Sequence, residues 1–356
     1  MSDRTIGGIS DSLLNHICRV SGCGREWLDQ MLDLVLGPTV LSKPLNYGCS
    51  GLCYDGFPLQ VCVSISSDGT DIILVGDPFS DIPDMVLRVS RSLENLENFL
   101  NLTQCHGLQS LVSATIDAFV PHDSAGRNAL PLGALWLAAG ISRISFALYT
   151  CASWGSNLVH KWDRVDDWAG RVLTQSGRAQ TVVRSLRSIA IPSSACIEGV
   201  DSAHARVKVY FRLITASAIG GLSFLPIANA KVESFLESVI REFEIPLQGL
   251  VFSVGFLAAT GEIYDSKIDI CCHCVVRKPS EWKAVFVELA RSGYPIDLEL
   301  LIPMIDSEYQ ELACLGIGSD VRGRTRVNTY WKPRLPVTER LMQRVPQSQK
   351  ADAAKG

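Results

Sequence analysis

Arg206, Lys208 and Tyr210 alternate with valines in the segment Arg206-Val-Lys-Val-Tyr210. Successive side chains of an extended strand point to opposite faces, so the two cations and the phenol share one face and Val207 and Val209 the other. Arg326, Asn328 and Tyr330 repeat the arrangement against Val327 and Thr329. Lys267-Ile-Asp-Ile-Cys271 and Arg143-Ile-Ser-Phe-Ala-Leu-Tyr149 follow the same pattern. An ordinary half-buried strand turns its polar face to water, and for Arg206 and Lys208 that is the plain alternative. A face that joins Tyr to Arg or Lys in segment after segment is what a lined interior needs. Such a lining can hold an anion through charge-assisted hydrogen bonds.

The elements that would position these residues recur. The four segments end at Tyr149, Tyr210, Cys271 and Tyr330, with separations of 61, 61 and 59 residues. Each is preceded by an apolar run and a short turn. Leu250 to Ala258 leads into Ala259-Thr-Gly-Glu262, and Leu312 to Ile317 leads into Gly318-Ser-Asp-Val-Arg-Gly323. Gly with Ser or Asp in a short connection is hairpin chemistry. Helical spacing follows the strands, in Val232, Phe235, Leu236, Val239, Ile240 and Phe243, and again in Trp282, Val285, Phe286 and Leu289.

The N-terminal third supplies a first copy. Helical stretches at Asp11–Val20 and Arg25–Leu36 precede a strand at Pro58–Ile65, a turn at Ser67–Thr70, a strand at Ile72–Val75 and a helix from Pro83 to Asn101. Five hairpins make ten antiparallel strands, and closure removes the exposed edges. The expected fold is α+β: a ten-stranded antiparallel β-barrel of five αββα repeats, helices outside and the polar strand face lining the lumen. It forms one domain over residues 1–345, with a flexible tail at 346–356.

Composition narrows the function classes. The 356 residues are 47% hydrophobic, enough for a large core, and the net charge is −4 with no cluster of five or more Lys/Arg. A nucleic-acid partner is therefore not expected. The N-terminus lacks an apolar h-region, and twelve scattered cysteines without an export signal read as reduced, buried thiols of a cytoplasmic protein. The uncharged stretches Leu213 to Ala230 and Ile245 to Gly261 are broken by Pro, Gly and polar residues, so no membrane span is expected.

Five αββα units closing a ten-stranded barrel resemble the ABBA aromatic prenyltransferases over nearly the whole chain. Asp201-Ser-Ala-His-Ala-Arg206-Val-Lys208-Val-Tyr210-Phe211 is similar to that family's central strand with its Arg-x-Lys-x-Tyr pattern. Pro58-Leu-Gln60-Val-Cys-Val-Ser64 resembles the first strand, Gly76-Asp-Pro78 the end of the second, and Ala147-Leu-Tyr149 with Trp154-Gly155 and Trp162 the third repeat. The resemblance implies transfer of a prenyl group, dimethylallyl first among candidates, from an allylic diphosphate to an electron-rich aromatic acceptor. Leaving-group charge calls for Arg, Lys and Tyr hydroxyls, and the allylic cation calls for aromatic faces and exclusion of water. It assigns Arg206, Lys208, Lys267, Arg326 and Asn328 to the diphosphate and Tyr149, Tyr210 and Tyr330 to the cation shield. Gln60 takes the acceptor-facing catalytic position. The partners are a prenyl diphosphate and a small aromatic molecule, of indole type by the Pro58–Ser64 and Trp154–Trp162 patterns, with phenols as the other branch.

Departures matter as much. Where indole-type members carry Glu, this chain has Gln60, which can orient an N–H or hydroxyl but is no strong base. Ile73 and Ala147 stand where the family brings Arg and Lys. No cofactor is required by the resemblance, but Mg²⁺ could complete the weakened clamp, with Asp77, Asp201 and Asp269 as oxygen ligands. No DDxxD motif is present, against a trans-prenyl synthase.

Other motifs read more plainly. Cys271-Cys-His-Cys274 cannot converge on one zinc from a regular strand, and buried strand residues are expected there. His204 should be exposed in a turn. Trp154, Trp162 and Trp168 have the spacing of a helix face packed on the barrel. Two further functions fit a barrel of this kind: a binder of hydrophobic ligands with anionic head groups, or an interaction protein with a solid lumen.

Overall fold

A computed structural model describes residues 5–44, 50–142, 145–155, 157–173, 177–227, 235–236, 239, 246–275 and 277–335. Ten strands alternate in hairpins along the chain: β1 (Leu59–Ser66), β2 (Gly69–Gly76), β3 (Leu135–Gly140), β4 (Phe146–Cys151), β5 (Ala190–Gly199), β6 (Arg206–Leu213), β7 (Leu250–Leu257), β8 (Ile263–Cys271), β9 (Gln310–Asp320) and β10 (Thr325–Pro333). Each pairs antiparallel with its chain neighbours. The first and last strands also pair, Val61 opposite Trp331 through Ser66 opposite Arg326, and this closes the barrel. The ring so formed has no free edge.

Alternation divides the strand residues into two sets. Val61, Val63, Ile65, Val207, Val209, Phe211, Ile268, Ile270, Leu315 and Ile317 face outward and are buried beneath the helices in one continuous hydrophobic core. A separate, much smaller apolar cluster of Val75, Ala138, Ala147, Cys196 and Tyr210 lies within the lumen. The barrel wall is thus apolar on its outer face, where nonpolar burial stabilises the fold, and largely polar inside.

The helices that cover it are α1 (Ile6–Ser21), α2 (Arg25–Leu36), α3 (Met85–Leu102), α4 (Gln109–Phe119), the short α5 (Ser124–Asn128), α6 (Leu158–Val172), α7 (Gly177–Leu186), α8 (Pro279–Arg291) and α9 (Leu298–Asp306). Asp84, Asn157 and Asp297 cap α3, α6 and α9 by accepting from backbone N–H groups, each cap worth about 1 kcal/mol. A buried ion pair fastens α3 to the end of β2. Arg88 donates to Asp77, which also accepts from the Ser50 hydroxyl at 2.7 Å and the Gly51 N–H at 3.1 Å.

Several local expectations change. β9 runs on to Asp320, so the residues from Gly318 extend the strand and only those after Asp320 turn. Only Cys271 of the Cys-Cys-His-Cys run is in a strand. Cys272 to Cys274 form a 3₁₀ turn that leaves His273 exposed and stacked on Tyr54 at 4.8 Å. Trp162 and Trp168 are fully buried on α6, their indole N–H groups donating to the Ala190 carbonyl and the Thr115 hydroxyl. Trp154 instead precedes that helix, half-buried beneath the Arg164 guanidinium at 3.8 Å. The expected helix over 232–243, the strand start at Arg143 and the tail at 346–356 lie wholly or mostly outside the described residues. No helix among the described residues is long and apolar enough to cross a membrane.

Candidate active site in the barrel lumen

The lumen opens at the end of the barrel where Ser66, Arg206 and Arg326 sit, and holds a cavity of about 630 Å³. Its wall includes Cys62, Ser64, Ile73, Tyr149, Glu198, Arg206, Lys208, Tyr210, Tyr264, Lys267, Arg326, Asn328 and Tyr330. The five residues expected on the diphosphate and the three expected as a shield therefore line one space.

The even-numbered strands β6, β8 and β10 carry the charge. Glycines on the odd strands between them let the charged groups meet. A Cβ at Gly255 on β7 would sit on the Asp265 carboxylate and 3.2 Å from Lys208 Cγ. One at Gly318 on β9 would lie 2.9 Å from Arg326 Nε, and one at Gly316 would collide with Asp269. Glycine inside a strand marks such close approaches.

Two carboxylates organise the cations. Asp265, only 1% exposed, lies 2.8 Å from Arg326, 3.6 Å from Arg206 and 3.7 Å from Lys208. Glu198 on β5 reaches Arg206 at 2.6 Å and Lys208 at 2.7 Å. Burial pushes both carboxyls up, but the adjacent cations outweigh it and hold both below their ordinary values. Burial lowers the Arg326 guanidinium, which Asp265 and Glu198 raise further than burial depresses it.

Lys267 stands deeper. Its ammonium donates to the Tyr330 hydroxyl at 2.7 Å, pairs with Asp269 at 2.7 Å, and lies 5.6 Å and 5.1 Å from the Tyr210 and Tyr330 ring centroids. Tyr149 and Tyr210 are 5.9 Å apart, centroid to centroid. Burial raises all three phenols above their usual value, so they stay neutral hydrogen-bonding groups. Asn328 accepts from the Ser64 hydroxyl at 2.8 Å, joining β10 to β1.

Gln60 is buried and shares the lumen face of β1 with Cys62 and Ser64, below the cavity. Its amide donates to the Leu52 carbonyl at 3.4 Å and to the Cys53 sulfur at 3.3 Å. The neighbouring Cys62 thiol is pushed up to about 12 by burial. Asp77, Asp201 and Asp269 do not gather around a cation. Asp77 is held by Arg88, Asp201 by His204 in the exposed β5–β6 turn, and Asp269 by Lys267. Among the described residues no three His, Cys, Asp or Glu side chains form a metal-binding group.

Glu198, Asp265 and Tyr264 join the site without a pattern that marked them in the sequence, although Asp265 left a trace. Asp265 lies two residues before Lys267, on the same strand face. Glu198 faces Arg206 across a hairpin, and the Arg206 guanidinium lies 5.1 Å from the Tyr264 ring centroid.

No family model and no curated protein sequence matches the chain. Solved structures do match its fold. The 5-dimethylallyltryptophan synthase from Streptomyces coelicolor superposes with a TM-score of 0.75 at 17% identity, over 93% of this chain and 98% of that one. The 6-dimethylallyltryptophan synthase from Micromonospora olivasterospora, in complex with DMASPP and Trp, gives 0.74 at 17% identity over 92% and 96%. AnaPT from Neosartorya fischeri gives 0.65 at 12% identity over 90% of each chain. The closed ten-stranded barrel and its helical coat are the αββα barrel fold of these structures. The chain has that fold over nearly its entire length.

Proposed function

We propose that the protein is an aromatic prenyltransferase that moves a dimethylallyl group from its diphosphate to an indole-type acceptor. The observation that carries this reading is the convergence of Arg206, Lys208, Lys267 and Arg326 with Tyr149, Tyr210 and Tyr330 on one enclosed cavity. The solved structures of like fold include dimethylallyltryptophan synthases, two of them in complex with DMASPP and Trp, which supports the same reading.

The chemistry follows from the geometry. The donor's allylic C–O bond breaks, and its electron pair leaves on the pyrophosphate, whose oxygens accept hydrogen bonds from the cations and the Tyr330 hydroxyl. The tyrosine faces attract the allylic cation and keep water from it. An aromatic carbon then attacks, and the resulting arenium ion loses its proton to the released pyrophosphate. Gln60, whose amide is held by Leu52 and Cys53 below the cavity, would support the acceptor end of the lumen from beneath and take no proton.

One observation favours a second reading, a barrel that binds a hydrophobic anion without turnover. Ile73 and Ala147 line the lumen where the resemblance implies cations, and Glu198 and Asp265 already neutralise part of the row. Incubation with five-, ten- and fifteen-carbon allylic diphosphates and a panel of indoles and phenols, read by mass spectrometry, separates the two. A prenylated indole with stoichiometric pyrophosphate release is the expected result. Donor binding with no pyrophosphate released from any pair would establish the binder.

A further inference from the structure

We propose that the Glu198 carboxylate is a built-in competitor for the donor's diphosphate. It occupies the anion position on Arg206 and Lys208, and it must leave before a donor binds there. This rests on the donor assignment above and adds a residue that sets which anions the site accepts.

The two acidic residues of the cluster are placed differently. Asp265 is 1% exposed and packed over Gly255, behind the cations. From there it can brace Arg206, Lys208 and Arg326 without obstructing their cavity side. Glu198 reaches over the cations from the neighbouring strand, because its backbone stands opposite Arg206 across the β5–β6 hairpin. Glu198 lines the cavity, and its buried Oε1 lies 2.6 Å from Arg206 Nη2 and 2.7 Å from Lys208 Nζ. A phosphate oxygen accepting from the same two donors would need that space, and two anions in contact repel.

This arrangement has a physical rationale. A cation buried as deeply as Lys208, at 7% exposure, needs a close partner, and Glu198 at 2.7 Å supplies it where Asp265 stands back at 3.7 Å. The same pairing sets a threshold. An anion with no more charge than a carboxylate gains little by replacing Glu198, whereas a diphosphate brings several charged oxygens that also reach Lys267 and Arg326. Glu198 thereby selects diphosphates over monophosphates and carboxylates.

The test measures binding of inorganic pyrophosphate and orthophosphate to the full chain by calorimetry at neutral pH and constant ionic strength. Circular dichroism confirms that each variant folds. Glu198→Gln should bind pyrophosphate at least about tenfold more tightly than the parent, the scale of one charge-assisted hydrogen bond, and should gain affinity for orthophosphate. In turnover its donor KM should fall while the acceptor KM stays, a split that a purely structural role would not produce. Asp265→Asn should show no such gain. Glu198→Asp, which withdraws the carboxylate by one methylene, is the second variant should Glu198→Gln not fold, and it too should bind pyrophosphate more tightly. Equal or weaker pyrophosphate binding by the folded variant, with the parent binding normally, overturns the competitor role and leaves the donor assignment intact. Absence of pyrophosphate binding in parent and variant alike overturns the anion site itself, and the donor assignment with it.

Discussion

Lys208 meets Glu198 at 2.7 Å and Asp265 at 3.7 Å, so its side chain is held by two counterions on the wall of the cavity. Lys208→Ala removes one charge-assisted donor from the anion position and should weaken donor binding by about 1.5–3 kcal/mol. Titration of the folded variant with dimethylallyl diphosphate checks this. Gln60 invites a different experiment, because an amide does not titrate. Its present partners are the Leu52 carbonyl and the Cys53 sulfur, below the cavity. Gln60→Ala should shift acceptor KM or product regiochemistry and leave the pH–rate profile unchanged. Product ratios from chromatography and rates across pH would show it, and a lost ionisation in the profile would contradict it.

At the scale of the element, the charged strands work because their neighbours carry glycine. Gly255→Ala on β7 would place a methyl group on the Asp265 carboxylate and against Lys208. Overpacking of this kind costs about 1–3 kcal/mol, and here it should also displace the counterion that aligns Arg206 and Arg326. A lowered melting temperature together with weaker donor binding is the expected pair of effects. Gly170 on α6 is the contrast. A Cβ there meets nothing within 4 Å, and its helical position favours alanine by roughly 0.5–1 kcal/mol. Gly170→Ala should raise the melting temperature and leave donor binding unchanged, as a thermal melt and the same titration would reveal.

For the molecule as a whole, closure through β1 and β10 ties the first and last strands into one ring, and the buried cluster links β5, β6, β8 and β10 across it. Glu198 and Asp265 hold folded-state values below their unfolded ones. Their contribution to stability is fully present above the ordinary carboxylate range of about 4 and is lost as pH falls through that range towards the folded values. Asp77 acts in the opposite sense, because burial raises its carboxyl despite Arg88. The urea midpoint should therefore stay level near neutrality and drop on acidification below about pH 4. Asp265→Asn should show a shallower acid limb, and an identical limb in parent and variant would remove the cluster as its cause.

The repeat near sixty residues and the two-residue alternation in Arg206–Tyr210 and Arg326–Tyr330 were enough to infer ten strands, their order and a polar inner face. Periodicity is local, and a strand's two faces are decided by its own side chains. Alternation together with the family resemblance named eight residues, all of which line the cavity beside Glu198 and Tyr264. Charge pairing was not legible in this way. Glu198 and Asp265 meet Arg206 only because β5 and β8 bring them to it, and Asp265 reaches Lys208 only across a glycine on a third strand. Gln60 shows the same limit. Parity put it on the inner face, but the fold turned its amide towards Leu52 and Cys53 rather than into the cavity. An electrostatic site depends on distances of a few ångströms between segments far apart in the chain, and only the register of the closed barrel sets those.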